Sequence, residues 1–204
     1  MSIKNIIFDI GRVLLHFDKP EFLRTFGFEG EELEKVNRAI FLNPAWDDYD
    51  RGLYETDELL RQYLSKCAPS LEKEIRKVLC DGWFFDMMSP IDETVKLFWE
   101  LKKRYSVYLL SNFPKEPYER CEKAFDFLSG ADGKVISYEI GLIKPDEGIY
   151  QILIEKYGLR PEECVFMDDT KENIETARKL GFNGFVFSNA DDARKQLENY
   201  GIIL

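Results

Sequence analysis

The chain has 204 residues, of which 45% are hydrophobic and 14% aromatic, and it carries a formal net charge of −10 at pH 7. This length suits one full domain with a smaller insert, and the apolar content excludes global disorder. The acidic balance excludes broad contact with nucleic acid, and no run reaches the roughly 18 apolar residues of a membrane span.

The first predicted strand covers residues 3–8, a short apolar run of the kind that is buried on both faces of a parallel sheet. The N-terminus enters this strand directly and lacks the pattern of a signal peptide, so we expect a cytoplasmic protein. Residues 19–82 then change character, because helical spacing alternates with proline-containing breaks and no convincing strand pattern occurs. We therefore predict an all-helical insert at 17–86, between two parts of a core domain at 1–16 and 87–204.

Beyond the insert, strands alternate with helices. Ser89-Pro90-Ile91-Asp92 predicts a helix start with a serine cap and a proline in the first turn. Further strands are predicted at 107–110, 134–137, 165–167 and 184–187. Such alternation is typical of a parallel sheet covered on both faces. The predicted fold class is therefore α/β, a doubly wound, mainly parallel sheet with a small helical domain.

Three carboxylates follow two of these strands. Asp9 ends the first strand, and Asp168 and Asp169 follow the strand at 165–167. Ligands of parallel sheets bind outside the carboxyl ends of the strands, so the three acids converge if the two strands are neighbours. Like charges this close cannot all stay ionised unless a cation joins them. A hard cation with oxygen ligands, Mg²⁺, is the expected cofactor.

Two more segments place polar residues at the carboxyl ends of the predicted strands or in the loops that follow them. Ser111-Asn112 follows the strand at 107–110, and Lys144 lies in the segment GLIKP. A carboxylate nucleophile, hydrogen-bond donors, an ammonium group and a metal-binding acid pair are the groups that phosphoryl transfer requires. Each residue type alone is common in turns and caps, so the ordered combination carries the prediction.

The segments FDIGRVL, LLSN, GLIKP and FMDDTKEN resemble, in this order, the four motifs of the haloacid dehalogenase-like (HAD) hydrolase superfamily. The helical insert is similar to the type 1 cap of that family, and the resemblance covers nearly the whole chain. It implies a Rossmann-like core, an Mg²⁺ cofactor and a small phosphorylated metabolite as the substrate. We expect a monomer that binds neither nucleic acid nor membranes.

The resemblance also implies the catalytic and metal-binding residues. Asp9 would be the nucleophile, with Lys144 as the second catalytic group. Mg²⁺ would be held by Asp9, by the backbone carbonyl of Gly11 and by Asp169, while Asp168 would contact the metal through a water molecule.

The same resemblance implies the phosphate-binding residues. Ser111, Asn112 and Lys144 would hold the phosphoryl oxygens, and Gly11 would line the same site. Asn173 would support the loop that carries the acid pair.

One position departs from the family pattern. The first motif is usually DxD, and its second Asp, normally the general acid and base, is Gly11 here, with Arg12 in place of the next glycine. General acid–base catalysis typically contributes about 10²–10⁴-fold. A subset of members with first motifs like FDLGNV, which includes bacterial α-D-glucose-1-phosphate phosphatases, is similar in this respect. The chain is therefore expected to hydrolyse esters with good leaving groups, such as a sugar 1-phosphate.

Residues near the first motif and in the insert are candidates for contact with the substrate. His16, Asp18 and Asp47 are candidates for replacing the missing acid, although a lone histidine is more often structural. An ordinary helix-to-helix connection is the alternative for the segment from Trp46 to Gly52. The candidate substrate residues are Arg12, His16, Trp46, Asp47 and Arg51.

The main prediction is an Mg²⁺-dependent phosphatase that acts on a small phosphomonoester through an aspartyl-phosphate. Two alternatives stay open. A 2-haloacid dehalogenase also lacks the second Asp, but it needs no metal, and the intact acid pair argues against it. A catalytically weak or inactive HAD-like binding or regulatory protein would retain the fold, but the intact Asp9 and Lys144 argue against that function.

Overall fold

The computed structural model describes residues 2–80 and 88–203. Five of its strands form one parallel sheet in the order β5-β4-β1-β6-β7, and β2 and β3 form a separate antiparallel pair. In chain order the strands are β1 (Asn5–Phe8), β2 (Leu15–His16), β3 (Ser89–Pro90), β4 (Ser106–Ser111), β5 (Gly133–Ile136), β6 (Cys164–Asp168) and β7 (Asn183–Val186).

Helices occupy most of the remaining described chain. They are α1 (Lys19–Thr25), α2 (Gly30–Ile40), α3 (Pro44–Asp50), α4 (Thr56–Lys66), α5 (Glu72–Cys80), α6 (Asp92–Lys102), α7 (Lys115–Ala124), α8 (Asp126–Ser129), α9 (Ser137–Ile140), α10 (Glu147–Tyr157), α11 (Lys171–Lys179) and α12 (Ala190–Asn199). Within the described ranges, none of these helices has the length and apolar character needed to cross a bilayer.

The central strand β1 is buried on both faces. Ile7 joins a hydrophobic cluster with Ile149 of α10 and Ile174 of α11, whereas Ile6 and Phe8 join a second cluster with residues of α6 and of the helices before β3. Alternate side chains of a strand point to opposite faces, so this division places helices on both sides of the sheet. The predicted α/β fold, doubly wound around a mainly parallel sheet, is confirmed.

The neighbours of β1 bring the predicted site together. Phe8 pairs with Leu109 of β4 on one side and with Met167 of β6 on the other. Because these strands are parallel, their carboxyl ends lie at one edge of the sheet. Asp9, Ser111 and Asp168 therefore reach that edge on three adjacent strands.

The helices α1 to α5 lie between β2 and β3, and residues 17–80 contain no β-strand. This agrees with the helical character predicted for this part of the chain. The domain boundaries at 17–86 and 87–204 stay a prediction, and residues 81–87 lie outside the described part.

The predicted helix start at Ser89-Pro90 is wrong. These two residues form β3, in which Ser89 pairs with His16 and Pro90 with Leu15. The backbone N–H of Ile91 donates to the Leu14 carbonyl at 2.9 Å, and α6 begins only at Asp92. The strands β2 and β3, which connect the parallel sheet to the helical segment, thus pair with each other. This long-range pairing overrides the local signal for a helix cap.

Candidate active site

Three carboxylates converge at the carboxyl ends of β1 and β6. One carboxylate oxygen from each of Asp9, Asp168 and Asp169 lies within 4.8 Å of the other two. Asp9 and Asp168 are buried, and the Asp169 side chain is only 16% exposed. The Asp9 backbone N–H donates to the Met167 carbonyl at 2.9 Å, so the pairing of β1 with β6 fixes the distance between the acids.

Lys144 provides the positive charge inside this cluster. Its ammonium donates to Asp9 Oδ1 at 2.7 Å, to Asp168 Oδ2 at 2.6 Å and to the Leu110 carbonyl at 2.9 Å. Burial opposes the charged form, but the attraction of Asp168 and then of Asp9 outweighs it, so the pKa of Lys144 is raised. Lys144 therefore stays protonated and directs all three of its N–H groups at acceptors.

One ammonium does not neutralise the cluster. Burial raises the pKa of Asp9 to about 7 despite the attraction of Lys144, and Asp168 adds to the rise. Burial also raises the pKa of Asp169, against the attraction of Arg12. These buried carboxylates resist ionisation unless a positive charge lies near them, and all the ligand atoms that they offer are oxygens. Both properties suit the binding of a hard divalent cation. Asp9, Asp168 and Asp169 are therefore the side chains that could hold Mg²⁺.

Arg12 takes the place of a glycine of the usual motif and retains a backbone conformation that favours glycine. Its φ is 60°, in the left-handed region that non-glycine residues rarely adopt. Its side chain is 68% exposed, and Nη1 lies 2.8 Å from Asp169 Oδ2. Arg12 thus covers one of the candidate metal ligands from the solvent side.

Two amide side chains position the charged groups. Asn112 accepts from the Lys144 backbone N–H at 2.7 Å and donates to the Lys144 carbonyl at 3.0 Å. Asn173 donates to both oxygens of Asp168, at 2.9 and 3.0 Å. Asn112 therefore holds the backbone of the lysine, and its predicted contact with phosphate would use its second amide hydrogen. Ser111 is buried at the end of β4.

A cavity of about 480 Å³ opens over the cluster. Its floor includes Asp9, Gly11, Ser111, Asn112, Lys144 and Asp169, and its other walls include Phe17, Lys19, Trp46, Asp50 and Met88. Two of the predicted substrate residues, Arg12 and Trp46, line this cavity.

The remaining candidate residues differ in their positions relative to this cavity. His16 lines a second cavity of about 420 Å³, together with residues at the start of α12. Asp18 borders both cavities, but its Oδ1 accepts from the Glu21 backbone N–H at 2.8 Å and so caps α1. Among the described residues, neither lining includes Asp47 or Arg51, and Arg51 pairs with Asp48 at 3.6 Å.

The structure adds residues that the sequence did not single out. Ser137, directly after β5, is buried; it accepts from the Phe113 backbone N–H at 2.9 Å and donates to the Asp50 carbonyl at 2.5 Å. This hydroxyl connects the end of α3 to the loop after β4. Lys19 and Asp50 line the cavity from the helical segment. Only the strand-end position of Ser137 could have indicated such a role.

Ser137→Ala is expected to lower the free energy of unfolding by about 1–3 kcal/mol, because the buried Phe113 N–H loses its acceptor. Urea denaturation of the two proteins measures this difference. Ser129→Ala is the matched control: its exposed hydroxyl donates within the last turn of α8, and its loss should change stability by no more than about 0.5 kcal/mol. Equal effects of the two substitutions would contradict the connecting role of Ser137.

Known proteins resemble this chain over most of its length. A family model described as haloacid dehalogenase-like hydrolase matches residues 3–181. The chain is 28% identical to D-ribitol-5-phosphate phosphatase from Bacteroides thetaiotaomicron, over 96% of this chain and 97% of that protein. It is 24% identical to flavin mononucleotide hydrolase 1 from Arabidopsis thaliana, over 91% of this chain and 71% of that protein.

A solved structure shows the same fold. A HAD family enzyme from Bacteroides thetaiotaomicron, crystallised with magnesium and inorganic phosphate, has a TM-score of 0.69 and 23% identity, over 92% of this chain and 96% of that chain. The family model and the two phosphatase relatives confirm the predicted enzyme class, a HAD-like hydrolase of the phosphatase type. Since the family model spans four of the five strands of the parallel sheet, the acid cluster and the buried lysine, the chain belongs to the haloacid dehalogenase-like hydrolases.

Proposed function

We propose that this hydrolase is an Mg²⁺-dependent phosphatase that cleaves a small phosphomonoester through an aspartyl-phosphate on Asp9. The observation that carries the proposal is the convergence of three carboxylates and the Lys144 ammonium on the floor of one cavity. The relatives that act on D-ribitol 5-phosphate and flavin mononucleotide support a small phosphorylated metabolite as the substrate.

The carboxylates of Asp9, Asp168 and Asp169 would hold Mg²⁺, with the Gly11 carbonyl as a further predicted ligand. Bound there, the ion would neutralise charge on the phosphoryl oxygens. Lys144 would supply a second positive charge at the same place, already fixed by its bonds to Asp9 and Asp168. Preorganised charges of this kind stabilise a transition state without reorganisation.

The chemistry proceeds in two displacements. An Asp9 oxygen forms a bond to phosphorus while the bond from phosphorus to the leaving-group oxygen breaks, and that oxygen takes up a proton from solvent water. A water molecule then forms a bond to phosphorus as the bond to Asp9 breaks, which releases phosphate and restores the carboxylate. Ser111 and the free amide hydrogen of Asn112 would contact the phosphoryl oxygens in both steps.

The leaving group must depart without the usual acid, because position 11 is glycine. Of the three predicted replacements, His16 lines the second cavity and Asp47 lines neither cavity. Asp18 borders the cavity over the acid cluster, but its Oδ1 caps α1. An ester whose oxygen leaves readily compensates for this loss. A sugar 1-phosphate, with its anomeric oxygen, is the substrate type that fits this requirement.

The helical segment at 17–86 would act as a cap that closes over the substrate. Its residues Phe17, Lys19, Trp46 and Asp50 already form part of the cavity wall. Closure by such elements excludes bulk water and completes an active site.

Phosphate release from a panel of esters tests the proposed function. The panel contains sugar 1-phosphates, sugar 6-phosphates and an activated aryl phosphate, each assayed with Mg²⁺ and with EDTA. We expect Mg²⁺-dependent release that is fastest for the 1-phosphates and the aryl ester. No release from any ester, with Mg²⁺ binding retained, would favour a regulatory protein, and chloride release from 2-haloacids would instead show a dehalogenase.

Asp169→Asn is expected to raise the Mg²⁺ concentration for half-maximal activity by roughly 10-fold or more, because a charged ligand is lost. Titration calorimetry with Mg²⁺ should show the same weakening independently of turnover. Glu172→Gln removes an exposed charge from the adjacent helix and is the matched control for a general loss of negative charge. An equal response of both variants would remove Asp169 from the proposed ligands.

A further inference from the structure

Lys19 is a cation in the cavity wall with an unusual environment. Its Nζ lies 5.2 Å from the ring centroid of Phe17, 5.5 Å from that of Phe41 and 5.3 Å from that of Trp46. Within the part of the chain that the structure describes, no acceptor lies within hydrogen-bonding distance of this ammonium. Burial lowers the pKa of Lys19, although the charges of Asp50 and Asp47 oppose that shift. The ammonium is thus held in place by rings and retains its donors.

Asp50 lies on the same side of the cavity and is fixed by independent contacts. The Trp46 side chain donates a hydrogen bond to its carboxylate, and Ser137 donates to its backbone carbonyl. The next turn also approaches the core closely, because a Cβ on Gly52, at φ +73°, would lie 2.7 Å from the Tyr138 carbonyl oxygen. Asp50 is therefore positioned rigidly relative to the sheet that carries the phosphate end of the cavity.

Lys19 lines the same cavity as Asp50 and the acid cluster. Its charge interacts with Asp50 and Asp47 on α3 and also with Arg12 and Asp169 beside the acid cluster. Asp9 interacts with Lys144, Asp168 and Asp169. Because Asp9, Lys19 and Asp50 line one cavity, a substrate with its phosphoryl group on Asp9 would have the remainder of its length facing Lys19 and Asp50.

The charges around Lys19 discriminate between ligand classes. A second phosphate or carboxylate on the substrate would meet Lys19 but would also meet the carboxyl group of Asp50 in the same cavity. Burial raises the pKa of Asp50 to about 7, and its ionised form repels an anion. A hydroxyl group can accept from an ammonium and donate to a carboxylate at the same time. The rings of Phe17 and Trp46 offer apolar surface to the carbon chain that carries such hydroxyls.

We propose that Lys19 and Asp50 bind hydroxyl groups of the leaving group, so that, among esters whose oxygen leaves readily, this phosphatase selects those with a hydroxyl-bearing leaving group and no second anionic group, such as sugar monophosphates. The inference deepens the proposed function and rests on it for the position of the phosphate. It assigns two specificity-determining residues to the helical segment.

Binding to the Asp9→Asn protein tests this inference without turnover. Titration calorimetry in Mg²⁺ buffer compares a pentitol 5-phosphate with n-pentyl phosphate, which has the same chain length and no hydroxyl groups. We expect about 10-fold or more tighter binding of the pentitol ester, since each charged hydrogen bond contributes on this scale. Lys19→Met and Asp50→Asn, each added to Asp9→Asn, should bring the two affinities to within about 3-fold, whereas Lys19→Arg should retain most of the preference.

Several results would overturn the inference. These are equal affinities of the two esters, no measurable binding of either, a preference unchanged in both Lys19→Met and Asp50→Asn, or tighter binding of a hexose bisphosphate than of the monophosphate. Thermal melting identifies a variant that fails to fold, and the other variant then decides the outcome. A separate assay of the natural chain distinguishes the two proposals: a hydroxyl preference without phosphate release supports the binding site and refutes the phosphatase.

Discussion

Asp9→Asn is expected to lower kcat for phosphate release by about 10⁴–10⁶-fold, the scale found when the nucleophile of a covalent mechanism is removed. The carboxylate oxygen that attacks phosphorus becomes an amide that cannot form the aspartyl-phosphate. Phosphate release at saturating substrate and Mg²⁺ measures the loss. Asp57→Asn is the control. It makes the same chemical change at an exposed aspartate in the first turn of α4, and this variant should retain activity.

The pH dependence of stability shows whether the Asp9→Asn protein is folded. In the natural chain, burial raises the pKa of Asp9 from 3.8 to about 7, so the folded state holds this proton more tightly than the unfolded chain. The resulting stabilisation is complete below about pH 4 and is lost as the pH rises through about 7. Asparagine has no such proton to lose.

The variant should therefore gain stability relative to the natural chain between pH 5 and pH 8, when both are unfolded by urea in EDTA. A stability difference that does not shift in favour of the variant over this pH range would contradict this account. A variant without a cooperative urea transition would have lost its fold, and its inactivity would then not identify the nucleophile.

The acid cluster was predictable because its causes are local. An apolar strand that stops at an aspartate is visible in the sequence, and parallel strands bring such ends to one edge of a sheet. Asp9 and Asp168 follow this rule through the pairing of β1 with β6. Lys144 was predictable only from the order of the motifs, because its ammonium reaches Asp9 across 135 positions of sequence from a loop.

Long-range contacts account for what the sequence did not reveal. The hydroxyl of Ser137 reaches the Asp50 carbonyl across 87 positions, and the rings around Lys19 come from three different segments. At Ser89 a local signal was present and misleading, because pairing with His16 made a strand of residues that otherwise favour a helix start. Local patterns thus locate the acid cluster at the floor of the cavity, whereas the wall that the helical segment contributes depends on packing.

Gly11→Asp is expected to raise kcat for a primary alkyl phosphate by about 10²-fold or more, which is the typical contribution of a positioned acid and base. A Cβ at position 11 is accommodated, because it meets only Phe17 Cδ1, at the ordinary contact distance of 3.8 Å. Gly11 also lines the cavity beside Asp9, where a carboxyl group can reach the leaving-group oxygen. Phosphate release from an alkyl ester and from an activated aryl ester measures the effect.

The aryl ester should gain much less, because its leaving-group oxygen departs readily without a proton. Gly11→Asn is the matched control: it has nearly the same shape as Gly11→Asp but supplies no carboxyl proton, so it should accelerate neither ester. A rise confined to the aspartate variant and to the alkyl ester separates proton donation from altered packing. Equal gains on both esters, or a gain with asparagine, would show that position 11 does not act on the leaving group, and the expected preference for good leaving groups would then need a cause outside the first motif.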